Sequence, residues 1–539
     1  MARHHRVVDH IVGHLAGIGV DYIFGVDGAN IEDLYDAGYF RSDLTAMLAK
    51  HEFSAATMAD GYSRGGAGLG MVAATSGGGS LNLVPGLGES LASRVPVLAL
   101  VGPPATTMDG RGSFQDSSGR NGSLDAEALF SAVSVFCRRV TRPVDIISAL
   151  PAALAAARIG GPAVLLLPKD VQHEPVGVNG FQGHNGHLSE VVRVGDPHPI
   201  VQALRRANGP VTIIAGEQVA RDDARRELEE PRALLRARVA CVPDAKDVSS
   251  TPGFGSSSSL GVTGVMGHPG VGSAPPYLPC THVHTENLRA SLNALSQAVS
   301  GRGPPTGLLV PDVAAQTELK PPACTGPGLR YRDAMAVLDT VLLAGVDIVV
   351  DAGNTGAAAV HYLPARRGGR FVVALGMGGM GYSFGAGIGM AVGRGRRTVV
   401  VAGDGSFFMH GMEIHTAVQY RLPVTFMLFN NNAHVMCVSR EQLLYDDLYS
   451  HNRFGRSDLG AGLATMFPGS SVDLVDIDAL HAALQAALAV DGPSVIGVEC
   501  SADEIPPFGS FLDRQRAKSV VTLEISTHEE NRFDVLAHA

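Results

Sequence analysis

The sequence predicts an α/β protein in which two doubly wound parallel-sheet domains flank a shortened central α/β domain. Short apolar runs such as "GMVAATSG", "VPVLALVG" and "AVLLLPKDV" show no polar alternation, as expected of parallel strands buried on both faces. The same pattern returns after residue 325 in "DIVVDAG", "RFVVALG", "TVVVAGDG", "PVTFMLFNN" and "PSVIGVEC". Between the two, "VTIIAGEQV" and "ARVACVPDA" open a third unit, which passes at 249–280 into a stretch rich in Gly, Ser and Pro that favours loops over a packed sheet. The boundaries drawn from these shifts are 1–178, 190–322 and 325–512, followed by a polar tail at 513–539 expected to be an arm or disordered.

A chain of 539 residues exceeds one hydrophobic core, and its 45% hydrophobic content is enough for several. The formal net charge of −10, with no long basic run, argues against a nucleic-acid partner. An anionic ligand therefore needs local help from backbone dipoles or a metal. Six scattered cysteines without a CxxC pair imply neither a zinc ribbon nor a disulfide framework, and fit the reducing cytoplasm. The N-terminus has helical spacing without a signal-peptide core, and no long unbroken apolar run predicts a membrane span.

Taken in chain order, "VDYIFGV" reads as the first strand, and His51-Glu52 opens an amphipathic helix whose first turn is ordinarily solvated. In the C-terminal half, parallel strands joined by crossover helices deliver their carboxyl ends to one rim. "TVVVAGDG" brings Asp404 there, and "PVTFMLFNN" brings Asn430 and Asn431. A carboxylate, an amide oxygen and a backbone carbonyl are hard ligands suited to Mg²⁺ or Ca²⁺, with phosphate oxygens and water completing the shell. Gly403 and Gly405 allow close backbone approach, and a helix after Ser406 points its N-terminus at the anion. A competing reading uses the GxGxxG of Gly376, Gly378 and Gly381, with Asp404 as the ribose acid of a dinucleotide site. That reading leaves the asparagines unused.

These residues resemble the thiamine diphosphate-dependent 2-oxo acid enzymes, whose signature is GDG, a helix and NN, and within them the acetolactate synthase-like group. The resemblance extends to "KHEFSAATMADGYSRGGAGLGMVAATSGGG", "GSFQD" and "GGPAVLLLPKDVQ" in a pyrimidine-binding domain, and to "MGYSFGAGIG" and "GDGSFFMHGMEIHTAVQY" in a diphosphate-binding domain. It implies that Glu52 faces the cofactor pyrimidine and favours the tautomer that supplies a base next to the reacting carbon. It also implies that Asp404, Asn431 and the Ala433 carbonyl hold Mg²⁺, that Gly353, Asn354, Gly403, Gly405, Ser406 and His434 contact the cofactor, and that Met380 props it into a bent shape. By the same match Met436 sits beside the reacting carbon, Gln115 and Lys169 line the substrate entrance, and two subunits share each site in a homodimer or homotetramer.

Departures from the family pattern bear on substrate. Asp27 replaces a Pro, Ser76–Gly79 is SGGG in place of SGPG, His434-Val435 replaces Gln-Gly, and Arg440 replaces a Trp, which suits an acidic acceptor or an exposed surface residue. Part of the central segment is missing after "LGVTGVMGHPG", which makes FAD doubtful. Cys280, His282 and His284 carry little weight as a metal site, and His410 and His415 are expected to be structural or solvent-facing. The expected function is decarboxylation of a small 2-oxo acid with ligation to an acceptor carbonyl. The alternatives are a non-ligating decarboxylase and an inactive, cofactor-binding partner subunit.

Overall fold

The computed structural model describes residues 5–176, 193–248, 283, 285–301, 307–309, 318–366, 368–467, 471–474, 476–509 and 511–512. The stretch 249–280, Cys280, His282, His284 and the tail 513–539 lie outside the described residues.

Two six-stranded sheets dominate, and every pairing in both is parallel. The first contains β1 (Tyr22–Val26), β2 (Thr45–Leu48), β3 (Gly70–Thr75), β4 (Val97–Gly102), β5 (Phe136–Arg139) and β6 (Pro162–Leu166), in the order β2-β1-β3-β4-β6-β5. In the middle of the chain β7 (Gly209–Pro210), β8 (Thr212–Ala215), β9 (Arg238–Cys241) and β10 (Leu308–Leu309) form two two-stranded pairs, β7 with β10 and β8 with β9. The last sheet contains β11 (Asp347–Val350), β12 (Phe371–Val373), β13 (Thr398–Gly403), β14 (Val424–Asn430), β15 (Ser471–Leu474) and β16 (Ser494–Glu499). Its order, β12-β11-β13-β14-β16-β15, repeats that of the first. In both sheets the winding reverses between the first and third strands of the half, and a doubly wound sheet opens a crevice for ligands at that point.

The halves are joined by like elements. The Glu52–Arg64 helix follows β2, the Tyr382–Arg394 helix follows β12, and the two pack against each other. A Cβ added at Gly389 would lie 1.9 Å from the Met58 carbonyl, so only glycine permits this approach. Every residue from Phe53 to Arg64 is buried. The helix is therefore not amphipathic, because its outer face is covered by the second half. One continuous apolar cluster runs from Phe24, Ala55 and Val72 to Phe384, Val400 and Phe426 across this seam.

The seam also contains charge. Arg64, fully buried, is bonded to Asp60 at 2.7 Å and to Glu89 at 3.0 Å, and Asp60 also accepts the Tyr382 hydroxyl. Removing one partner of such a group strands a buried charge, at about 3–5 kcal/mol. The central unit is tied to the last sheet by Arg370, bonded to Glu217 at 2.7 Å, and by buried Lys246, whose ammonium donates to the carbonyls of Ala359, Val360 and Leu363. The Ile146–Gly160 helix lies in a segment apolar and long enough to cross a membrane, yet Ile146, Ala149, Leu150, Ala153, Leu154 and Ala157 are buried in the first domain's core.

Candidate active site at the switch points

At the C-terminal switch point Asp351 directly follows β11 and Asp404 directly follows β13, with β14 beside them ending in Asn430. The Asp404 carboxylate accepts the N–H groups of Gly405 at 2.9 Å, Asn431 at 3.2 Å and Ala433 at 3.3 Å, so the three predicted metal residues meet. Burial pushes the Asp404 carboxyl up to about 6, against the pull of those N–H groups. A divalent cation would reverse that shift by favouring the carboxylate. Asn431 donates from Nδ2 to the Tyr331 hydroxyl at 3.3 Å, while its Oδ1 is buried without a partner among the described residues. An unpaired buried amide oxygen beside a buried carboxylate fits a hard cation.

The neighbouring backbone suits an anion. Gly353 caps the Asn354–Tyr362 helix at φ 99°, a conformation L side chains rarely adopt, and a Cβ there would meet nothing within 4 Å. Asn354 is buried, donates to Ser439 Oγ and to the Glu504 carbonyl, both at 3.3 Å, and its Oδ1 has no partner among the described residues. Gly403 ends β13 and Gly405 lies against the His434 ring, whose Nδ1 is buried without a partner among the described residues. The helix predicted after Ser406 begins earlier, at Asp404, ends at His410 and is separated by a 3₁₀ turn from the Ile414–Gln419 helix. The Ser406 hydroxyl is committed to Asp351 at 2.5 Å, which leaves its peptide group for a ligand.

Asp351 was not legible as a site residue, although it closes the "DIVVDAG" strand. It accepts Gly381 N–H at 3.0 Å, Ser383 N–H at 2.9 Å and the Ser406 hydroxyl, and so joins the Met380 loop to the GDG turn. Glu504, pushed up to about 7 mainly by burial, accepts Tyr331 N–H at 3.0 Å and lies behind Asn354. Met436 is half-buried on the Val435–Leu444 helix and packs on Leu443, Phe508 and Phe511. One turn on, Arg440 is exposed, with Cys437 Sγ at 3.9 Å and no carboxylate partner among the described residues.

The N-terminal switch point gathers a second set. Glu52 opens its helix with Oε2 accepting from Asn82 Nδ2 at 2.9 Å and Oε1 facing Gly79. Gln115 accepts from Ser76 Oγ at 3.3 Å and packs on Gly77, so both predicted residues flank the SGGG turn after β3. Lys169 does not project freely. It is paired with Glu32 at 2.6 Å and Asp33 at 3.0 Å.

His410 joins the two sets. Its ring centroid lies 4.9 Å from that of His51 and 4.3 Å from that of Phe53, and its Nδ1 is buried without a partner among the described residues, whereas His415 is exposed. Burial and His51 lower the His410 imidazole from 6.5 to about 4. The folded state thus disfavours the proton, so the stability this ring contributes is present above 6.5 and is lost as pH falls towards 4. In thermal unfolding of wild type and His410→Phe across this window, the variant is expected to lose less stability on acidification. Parallel loss in the two proteins would contradict the assignment.

Comparison with known proteins agrees with this geometry. Residues 5–122 match the family described as thiamine pyrophosphate enzyme, N-terminal TPP binding domain, and 351–498 match the C-terminal TPP binding domain. The chain is 26% identical to the probable acetolactate synthase large subunit of Methanocaldococcus jannaschii, over 93% of this chain and 94% of that one. It is likewise 26% identical to the acetolactate synthase isozyme 2 large subunit of Escherichia coli, over 92% and 95%. In fold it is similar to benzoylformate decarboxylase from Polynucleobacter necessarius, with a TM-score of 0.75 and 19% identity over 93% of this chain and 100% of that one. With both cofactor-binding domains matched in order and each centred on a switch-point site, the chain belongs to the thiamine diphosphate-dependent enzymes and is similar over most of its length to acetolactate synthase large subunits.

Proposed function

We propose that this enzyme decarboxylates a small 2-oxo acid and transfers the remaining fragment to an acceptor carbonyl, with Mg²⁺ and thiamine diphosphate bound. The observation that carries this reading is the buried pairing of Asp404 with Asn431 and Ala433, with Asn431 Oδ1 left unpaired among the described residues. Bound thiamine diphosphate supplies a carbon nucleophile for the 2-oxo carbonyl and an electron sink as CO₂ leaves.

The residues divide the remaining work. Asp404, Asn431 Oδ1 and the Ala433 carbonyl hold the metal. Gly353, Asn354, Gly403, Gly405, Ser406 and His434 surround the diphosphate, and Met380 supports the heterocycles. Glu52 holds a proton at the pyrimidine edge. Gln115 and Met436 bound the substrate space, where an apolar wall favours a step in which charge is lost. We place the working unit in at least a homodimer in the cytoplasm. Exposed Phe408, Met409 and Met412 next to the site support association, and scattered cysteines without a CxxC pair suit a reducing compartment.

The test is calorimetric titration of the apoprotein with thiamine diphosphate, with and without Mg²⁺, followed by CO₂ release and product analysis on pyruvate and longer 2-oxo acids. Mg²⁺-dependent binding and a ligated product are expected. A product formed by protonation alone, even with acceptor present, would replace ligation by simple decarboxylation.

A further inference from the structure

The loop from Gly376 to Gly381 is tied at both ends and free in the middle. At its start Glu89, on the Gly78–Ala92 helix of the N-terminal domain, accepts Gly376 N–H at 3.2 Å and Met377 N–H at 2.6 Å. At its end Asp351 accepts Gly381 N–H, and Asp60 accepts the Tyr382 hydroxyl. Between these ties the peptide groups of Gly378, Gly379 and Met380 make no hydrogen bond among the described residues, and the Met377 side chain is 64% exposed. Gly378 at φ 64° and Gly381 at φ 90° set a backbone path that side chains at those positions would strain. A pinned loop with unused peptide donors and acceptors is preorganised for the polar edge of a ligand.

Glu89 is itself held. It is 3% exposed and also accepts from Arg64 Nη2 at 3.0 Å and Ser93 Oγ at 2.7 Å. Burial alone would raise its carboxyl, but Arg64 and the loop N–H groups keep it below its ordinary value. A charged acceptor therefore faces the loop, which makes these bonds stronger than neutral ones.

We infer that Glu89 is a positioning residue for the heterocyclic end of the cofactor: it fixes the Gly376–Met380 backbone from the N-terminal domain, apart from the residues around the diphosphate. The inference rests on the cofactor reading above. It predicts that the two ends of the cofactor are held by separable parts of the protein.

The experiment titrates wild type, Glu89→Gln and Glu89→Ala with thiamine diphosphate and, separately, with inorganic pyrophosphate, always with Mg²⁺. Loss of a charge-assisted contact is expected to weaken thiamine diphosphate binding roughly tenfold in Glu89→Ala, with pyrophosphate binding within about twofold of wild type. Glu89→Gln should fall between, since an amide oxygen still accepts one N–H but offers Arg64 no charge. Equal losses for both ligands would reveal a general structural role and overturn the inference, as would unchanged thiamine diphosphate affinity. Should Glu89→Ala not fold, Glu89→Gln, checked by its unfolding midpoint, gives the same comparison. Wild type that binds neither ligand overturns the cofactor reading itself, whereas wild type that binds both alongside unaffected variants overturns only the role of Glu89.

Discussion

Asp404→Asn is expected to abolish Mg²⁺-dependent binding of thiamine diphosphate, by on the order of a hundredfold or more in affinity, while leaving the apoprotein as stable as wild type or more so. The two halves of this result have one cause. Burial has pushed the Asp404 carboxyl up to about 6, so without a cation the charged form is a cost to the fold. An amide of the same shape removes that cost and keeps one oxygen, which can accept from Asn431 and Ala433 where Oδ2 now does, at the loss of the Gly405 bond to Oδ1. It cannot offer a divalent cation the same charge. Titration calorimetry and thermal unfolding of the two proteins decide the matter. Wild-type affinity in the variant would remove Asp404 from the metal site, and a large fall in unfolding midpoint would make it a structural residue.

Glu52→Gln should act on the rate and not on the grip. Turnover is expected to fall by roughly 10²–10⁴-fold, the usual size of a general acid–base contribution, with thiamine diphosphate affinity changed less than about tenfold. The glutamine can keep the bond that Asn82 now makes to Oε2, so the start of the helix is preserved, but it cannot hold a proton for the pyrimidine. Single-turnover CO₂ release and calorimetry on the same preparation separate the two quantities. Turnover equal to wild type would eliminate this mechanism. Equal losses in binding and turnover would instead make Glu52 a packing residue.

The strands that position these sites were legible because both faces of each are covered. β3, β4, β13 and β14 are buried at nearly every position and read as unbroken apolar runs. Three of the four edge strands were not legible. β2 is part-exposed or exposed except at Met47, β5 is half-buried throughout, and β15 hides in "SSVDLVDID". Asp404 and Asn431 announced themselves through their spacing on strand ends, whereas Glu52, at what reads as a solvated first turn, came only with the family resemblance. Asp351, Glu89 and His410 came with neither, since their meaning lies in partners far along the chain. Glu89 meets Gly376 across 287 residues, and no local pattern encodes such a pairing. The Glu52 helix shows the same limit: its sequence allows a solvated turn, and only the second half of the molecule covers it.

That cover arrives late when the chain is made. The hydroxyl that Asp60 accepts belongs to Tyr382, 322 residues further along, which at ~5–20 residues per second is roughly 15–65 s of synthesis. Once β6 has been made, and until Tyr382 follows, the nascent N-terminal domain carries a complete parallel sheet, a buried-type arginine and the glycine-lined helix seam with nothing to close them. A ribosome paused or a message cut before the Tyr382 helix thus yields a chain whose most apolar surface faces water. Yield in cells should therefore depend on chaperone supply and on translation speed across the central third of the message.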